Sequence, residues 1–239
     1  MNNLEYLILF SSVLLGGGLG ILLTKRRTKD SLQLVLSFSG AYILGITALH
    51  ILPGIFSVSY PYTGIWILVG FFVQLVLEQL SQGVEHGHIH AHQGAKTSYA
   101  AQILLGLCLH ALIEGVPLNN YTTLTHLTFN HLLYGIVLHK IPASFALAVL
   151  LLSSGFKKTS TLIALVVFAM MSPIGAWSFS FVTSSPEVIN YSMALVAGSF
   201  LHVATTILFE TDSSRSHKIS GKKFIAIIFG LILAFLTMH

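Results

Sequence analysis

The sequence predicts an all-α membrane protein, with eight transmembrane helices in a single domain over residues 1–239 and both termini extracytoplasmic. Three observations predict it. The chain is 54% hydrophobic and 8% charged, with a mean hydropathy of +0.81, whereas about a quarter of a soluble domain is charged. Its apolar residues gather into eight runs, each close to the ~20 helical residues that cross a ~30 Å hydrocarbon layer. Its basic residues alternate between the connections.

The runs cover 5–24, 32–54, 63–82, 98–118, 129–154, 160–182, 189–210 and 222–238. Glu5 opens the first, and the basic stretch Lys25, Arg26, Arg27 and Lys29 follows it. That order suits a helix that stays in the membrane with its N-terminus outside, not a cleaved signal peptide. Lys96, Lys157, Lys158, Arg215, Lys218, Lys222 and Lys223 lie after the third, fifth and seventh runs, and the intervening connections hold no Lys or Arg. Eleven of the twelve basic residues thus fall on one side, which the positive-inside rule makes cytoplasmic. The same distribution accounts for a pI near 9.2 without a nucleic-acid partner. Cys108 is the single cysteine, so neither an intramolecular disulfide nor a cysteine metal site can form. Lys140 stands apart, inside the fifth run, where a charge costs at least ~2.5–3.5 kcal/mol.

The fourth run reads Leu109-His110-Ala111-Leu112-Ile113-Glu114-Gly115-Val116-Pro117, and the fifth Leu138-His139-Lys140-Ile141-Pro142-Ala143-Ser144. Leu-His opens both segments and a proline follows in each, the kind of weak internal echo found in transporters built from repeats. A fainter echo joins Ala48–Pro53 to Thr205–Glu210. Pro117 and Pro142 are expected inside their helices, where each frees a carbonyl that only protein or a wet cavity can satisfy.

His110 and Glu114 stand at i and i+4, on one helix face with Cβ atoms ~5–6 Å apart. Imidazole and carboxylate at that spacing can share one ion ~2 Å from each donor, and His139 supplies a third donor if the two helices meet. Two imidazoles and one carboxylate suit Zn²⁺, with Fe²⁺, Mn²⁺, Co²⁺ and Cd²⁺ as alternatives. A structural hydrogen bond between His110 and Glu114 is the competing explanation. Ionisable groups within a membrane span are functional by default, and three converge here. Residues 83–97 form a His-rich cytoplasmic loop whose alternating His86, His88, His90 and His92 are a compositional metal-binding tract. His50 and His202, read as lying towards the extracytoplasmic side, either line the pathway or cap a neighbour's carbonyl, and Ser144 is a further pathway candidate. Glu78 and Glu210 fall at cytoplasmic helix ends, where snorkelling acids are ordinary.

These residues resemble the ZIP (ZRT/IRT-like) metal transporters over nearly the whole chain. Family helix four reads H-N-x-x-(D/E)-G, matched by His110, Glu114 and Gly115 with Ala111 in place of Asn. Helix five reads H-E-I-P-E-G, matched by His139, Ile141 and Pro142, with Lys140 and Ala143 in place of both Glu residues. Leu49-His50-Ile51-Leu52-Pro53, Ser172-Pro173-Ile174-Gly175 and Ile207-Leu208-Phe209-Glu210 resemble the family's second, sixth and seventh helices. The resemblance implies a 3+2+3 order of helices, a homodimer, an elevator or rocking motion, and uptake of a divalent metal towards the cytoplasm between helices four and five, from the plasma (inner) membrane. The missing residues are those that hold or bridge a second ion in two-metal members, so Lys140 is expected to stand in for that ion. No organic cofactor is expected. An intramembrane metal-dependent hydrolase using the same His/Glu set is the alternative, with Ser144 and Lys140 as its only polar support.

Overall fold

The structure is a computed structural model that describes residues 2–23, 29–84, 97–119, 126–181, 185–209 and 220–237. The tract His86, His88, His90 and His92 and the acid Glu210 lie outside the described residues. Among the described residues eight helices follow in order. They are α1 (Asn3–Leu23), α2 (Lys29–Ile46, running on through Thr47–Ile51 into Leu52–Phe56), α3 (Thr63–Ser81), α4 (Thr97–Gly115), α5 (His126–Ser153), α6 (Lys158–Ser178), α7 (Pro186–Phe209) and α8 (Gly221–Leu236). The first seven are long and apolar enough to cross a membrane. α8 is a 16-residue apolar helix that lies along α2.

Proline shapes four of these helices, in different ways. Pro53 has no N–H and its ring would crowd the carbonyl four residues back. The helix accommodates it with a π turn over Thr47–Ile51, in which the Leu52 N–H reaches back to Thr47 O. Pro142 and Pro173 stand inside α5 and α6. Pro117 departs from expectation: α4 ends at Gly115, and Pro117 sits in the 3₁₀ turn Val116–Asn119. A chain that cannot donate at the next position tightens and stops there instead of kinking and continuing.

The helices pack in two groups that interleave along the chain. α1 lies on α5 and α6, and α4 also lies on α6; α3 lies on α7, and α2 on both α7 and α8. The groups meet where α3 touches α4 and α2 touches α5. The α4–α6 seam depends on glycine: a Cβ at Gly115 would come within 2.3 Å of Ser172 O, and one at Gly175 within 2.1 Å of Leu112 O. This approach sets Ser172 beside Glu114. α3 and α7 run parallel, since their polar partners advance together: Thr63 with Asn190, Gln74 with Ser199, Glu78 with His202. Leu68, Phe72 and Val76 on α3, Ile163 on α6, and Phe229 and Phe235 on α8 are exposed. With no polar partner to offer, these faces suit lipid.

Orientation can be tested directly. Cys108, the one native thiol, is buried. Cysteines introduced at Ser59, Thr123 and Ser185 are expected to react with an impermeant maleimide added outside intact cells, while those at Thr28, Thr159 and Ser214 react only after permeabilisation. The opposite pattern would invert the chain.

Candidate metal centre

The centre lies where α4, α5 and α6 of one group face α3 and α7 of the other. His110 and Glu114 are 2% and 0% exposed, and His110 Nε2 stands 3.3 Å from Glu114 Oε2 across one turn of α4. On the other side of that imidazole, Nδ1 lies 2.7 Å from Gln74 Oε1, which also accepts from Ser199 Oγ at 3.0 Å. An amide oxygen only accepts, so Nδ1 carries the proton and donates it. Nε2 is thereby the nitrogen that faces the carboxylate. A metal-binding imidazole is held in the same way, by its far nitrogen.

His139 on α5 is buried, and its ring meets that of His110 edge to face at 5.6 Å between centroids. The structure therefore brings His110, Glu114 and His139 together. Lys140 is there too: its Nζ lies 2.5 Å from Glu114 Oε1 and 4.7 Å from the centre of the Phe168 ring. Ser172 Oγ donates to Ala111 O at 2.6 Å and lies 3.3 Å from the same carboxylate oxygen. Among the described residues, no three His, Cys, Asp or Glu groups are already gathered as a ligand set. What the centre holds is a carboxylate neutralised by an ammonium, with two imidazoles alongside. Such a pair tolerates burial because each charge has its counterion, with Ser172 Oγ beside the carboxylate and the Phe168 ring against the ammonium.

The other candidates stand elsewhere. Ser144 Oγ donates to Ile141 O at 3.0 Å and faces α1, where a Cβ on Gly16 would strike it. His202 pairs with Glu78 between α7 and α3, so Glu78 does not simply snorkel. This pair stands one turn beyond Gln74 and Ser199, towards the helix ends assigned to the cytoplasm, which corrects the extracytoplasmic reading of His202. His50, on the π turn, lies 3.3 Å from Ala234 O by its Nε2 and stacks on His131. Sequence reading missed Gln74, Ser199 and His131, and placed Ser172 in a helix-six motif without a role at the centre. For Gln74 a signal existed, an amide within an apolar run; Ser199 and His131 have no distinguishing spacing.

Fold and centre together define a multi-pass membrane protein with a buried His/Glu/Lys cluster at the junction of two helix groups. A profile described as ZIP Zinc transporter matches residues 85–238, more than half of the chain. "Zinc transporter ZIP9" of Micropogonias undulatus is 29% identical over 169 residues, 66% of this chain and 54% of the relative. Its namesake in Xenopus tropicalis is 28% identical over 175 residues, 66% of this chain and 55% of the relative. "Zinc transporter ZIP1" of Danio rerio is 25% identical over 193 residues, 62% of this chain and 63% of the relative. The chain spans about half the length of the first two of these curated relatives. It belongs to the ZIP zinc transporter family.

Proposed function

We propose that the protein carries a divalent transition metal, zinc foremost, across its membrane towards the cytoplasm through the His110/Glu114/His139 centre. One observation supports this most: His110 Nε2, with its proton held on the other nitrogen by Gln74, faces Glu114 Oε2 at 3.3 Å. Two electron-pair donors turned towards each other in a buried site suit a shared cation. Lys140 already balances the carboxylate, so an arriving ion competes with the ammonium for Glu114, and release is favoured when Lys140 returns. A transporter needs such moderation, since a site that binds without competition does not let go.

The names of the relatives favour zinc; Fe²⁺, Mn²⁺, Co²⁺ and Cd²⁺ remain chemically compatible. The resemblance extends the proposal to a homodimer in the plasma membrane. A hydrolase would need a free base or oxyanion donors beside the metal. Of the two polar groups the sequence offered it, Ser144 faces α1 and Lys140 is held by Glu114.

Equilibrium zinc binding tests the centre. In the full chain with His86, His88, His90 and His92 changed to Ser, His139→Ala is expected to weaken transmembrane zinc binding by about tenfold or more, an energy of about 1.4 kcal/mol. Unchanged affinity in a folded variant would remove His139 from the centre. The four-serine chain itself is expected to keep most of its uptake, because the sequence reads the tract as a loop outside the membrane path. Complete loss of uptake at normal expression would make the tract part of the route.

A further inference from the structure

We propose that His50 and His131 form a second divalent-metal site, at the end of the bundle that the charge distribution assigns to the outside. It joins α2 of one helix group to α5 of the other. The two rings stack with centroids 3.8 Å apart and planes inclined by 17°. His50 Nε2 lies 3.3 Å from Ala234 O, and His131 Nε2 lies 2.5 Å from Thr237 O. A carbonyl oxygen has no proton to give, so in both rings Nε2 is the donor, and Nδ1 is the nitrogen left open to a metal. Carbonyls holding the far nitrogen are the usual outer support of a metal-bound histidine.

Two independent features point to a ligand. His131 is 3% exposed, and its Nδ1 is buried with no hydrogen-bond partner, a costly arrangement unless something occupies that nitrogen. The other ring is carried on the π turn Thr47–Ile51, and single π turns in α-helices occur often at functional sites. The carbonyls that orient the rings belong to the C-terminal turn of α8, the negative end of its dipole, which favours a cation nearby. Converging both lone pairs on one ion takes a change of ring tilt, and His50, half-buried on the π turn, is the ring with room for it. The chemistry selects Zn²⁺, Co²⁺, Ni²⁺ or Cd²⁺ over Mg²⁺ or Ca²⁺.

The site can be separated from the central one. The full chain carrying the four loop serines together with Glu114→Gln and His139→Ala is expected to retain one Zn²⁺ per protomer by elemental analysis after dialysis. Adding His131→Phe, which keeps an aromatic ring in the stack, is expected to reduce that to none, an affinity loss of about tenfold or more. As a second measurement, His50→Cys with His131→Cys in the same background is expected to have both thiols protected from alkylation by Cd²⁺ and not by Mg²⁺. No zinc in the background chain, zinc surviving His131→Phe, or thiols that Cd²⁺ leaves reactive would each overturn the proposal. Two of the three central ligands are already absent from these chains, so such a failure leaves the central reading untouched.

Discussion

Lys140→Met is expected to destabilise the metal-free protein by about 3–5 kcal/mol, the range for breaking a buried ion pair from one side, and to tighten zinc binding at the centre. Lys140 and Glu114 are 2% and 0% exposed, and their 2.5 Å contact is the main compensation each charge has. Methionine fills similar space without charge, leaving the carboxylate with Ser172 and His110. A divalent ion then meets no competitor. Thermal unfolding with and without zinc should show the variant well below the wild type without metal and much closer to it with metal. A variant as stable as the wild type without metal would show that Lys140 is not balancing Glu114. The same reasoning extends to stoichiometry. In a chain with the four loop serines and His131→Phe, one transmembrane zinc is expected per protomer. Adding Ala111→Asn, Lys140→Glu and Ala143→Glu should raise the count to two. A count of two before those changes would remove Lys140 as the stand-in for a second ion.

His110→Ala, Glu114→Ala and His139→Ala are each expected to cost most of the zinc uptake, about tenfold or more, in a protein that still inserts and folds. The losses should not look alike. His110 binds α3 and α7 through Gln74 and Ser199, so His110→Ala also loosens the junction of the two helix groups. Glu114→Ala leaves Lys140 buried without its counterion, which makes Glu114→Gln the better control for folding. His139→Ala removes a donor and little else. Near-normal uptake by two of these folded variants would defeat the assignment.

Much of this was legible in the sequence because lipid imposes simple rules. Hydropathy and alternating basic residues mark the spans without knowledge of their packing, and the i, i+4 spacing puts His110 and Glu114 on one face whatever surrounds them. What escaped was whatever depends on a second helix. Glu78 reads as a helix-end acid until parallel α3 and α7 set it against His202. Gln74 and Ser199 are unremarkable on their own helices and become the support of His110 only at the α3–α4–α7 junction. His131 has no periodic partner in α5, since the groups that orient it lie on α2 and α8. Pro117 shows the limit of local rules: proline may kink a helix or end it, and here Gly115 and the close approach of α6 accompany an ending.

Zinc accumulation by sealed proteoliposomes containing the purified wild-type chain tests the central claim most directly. The expected result is saturable uptake down a zinc gradient, competed by Cd²⁺ or Co²⁺, unaffected by Mg²⁺, and reduced about tenfold or more by His139→Ala. Uptake no faster than in protein-free vesicles, or equally fast with His139→Ala, would contradict it.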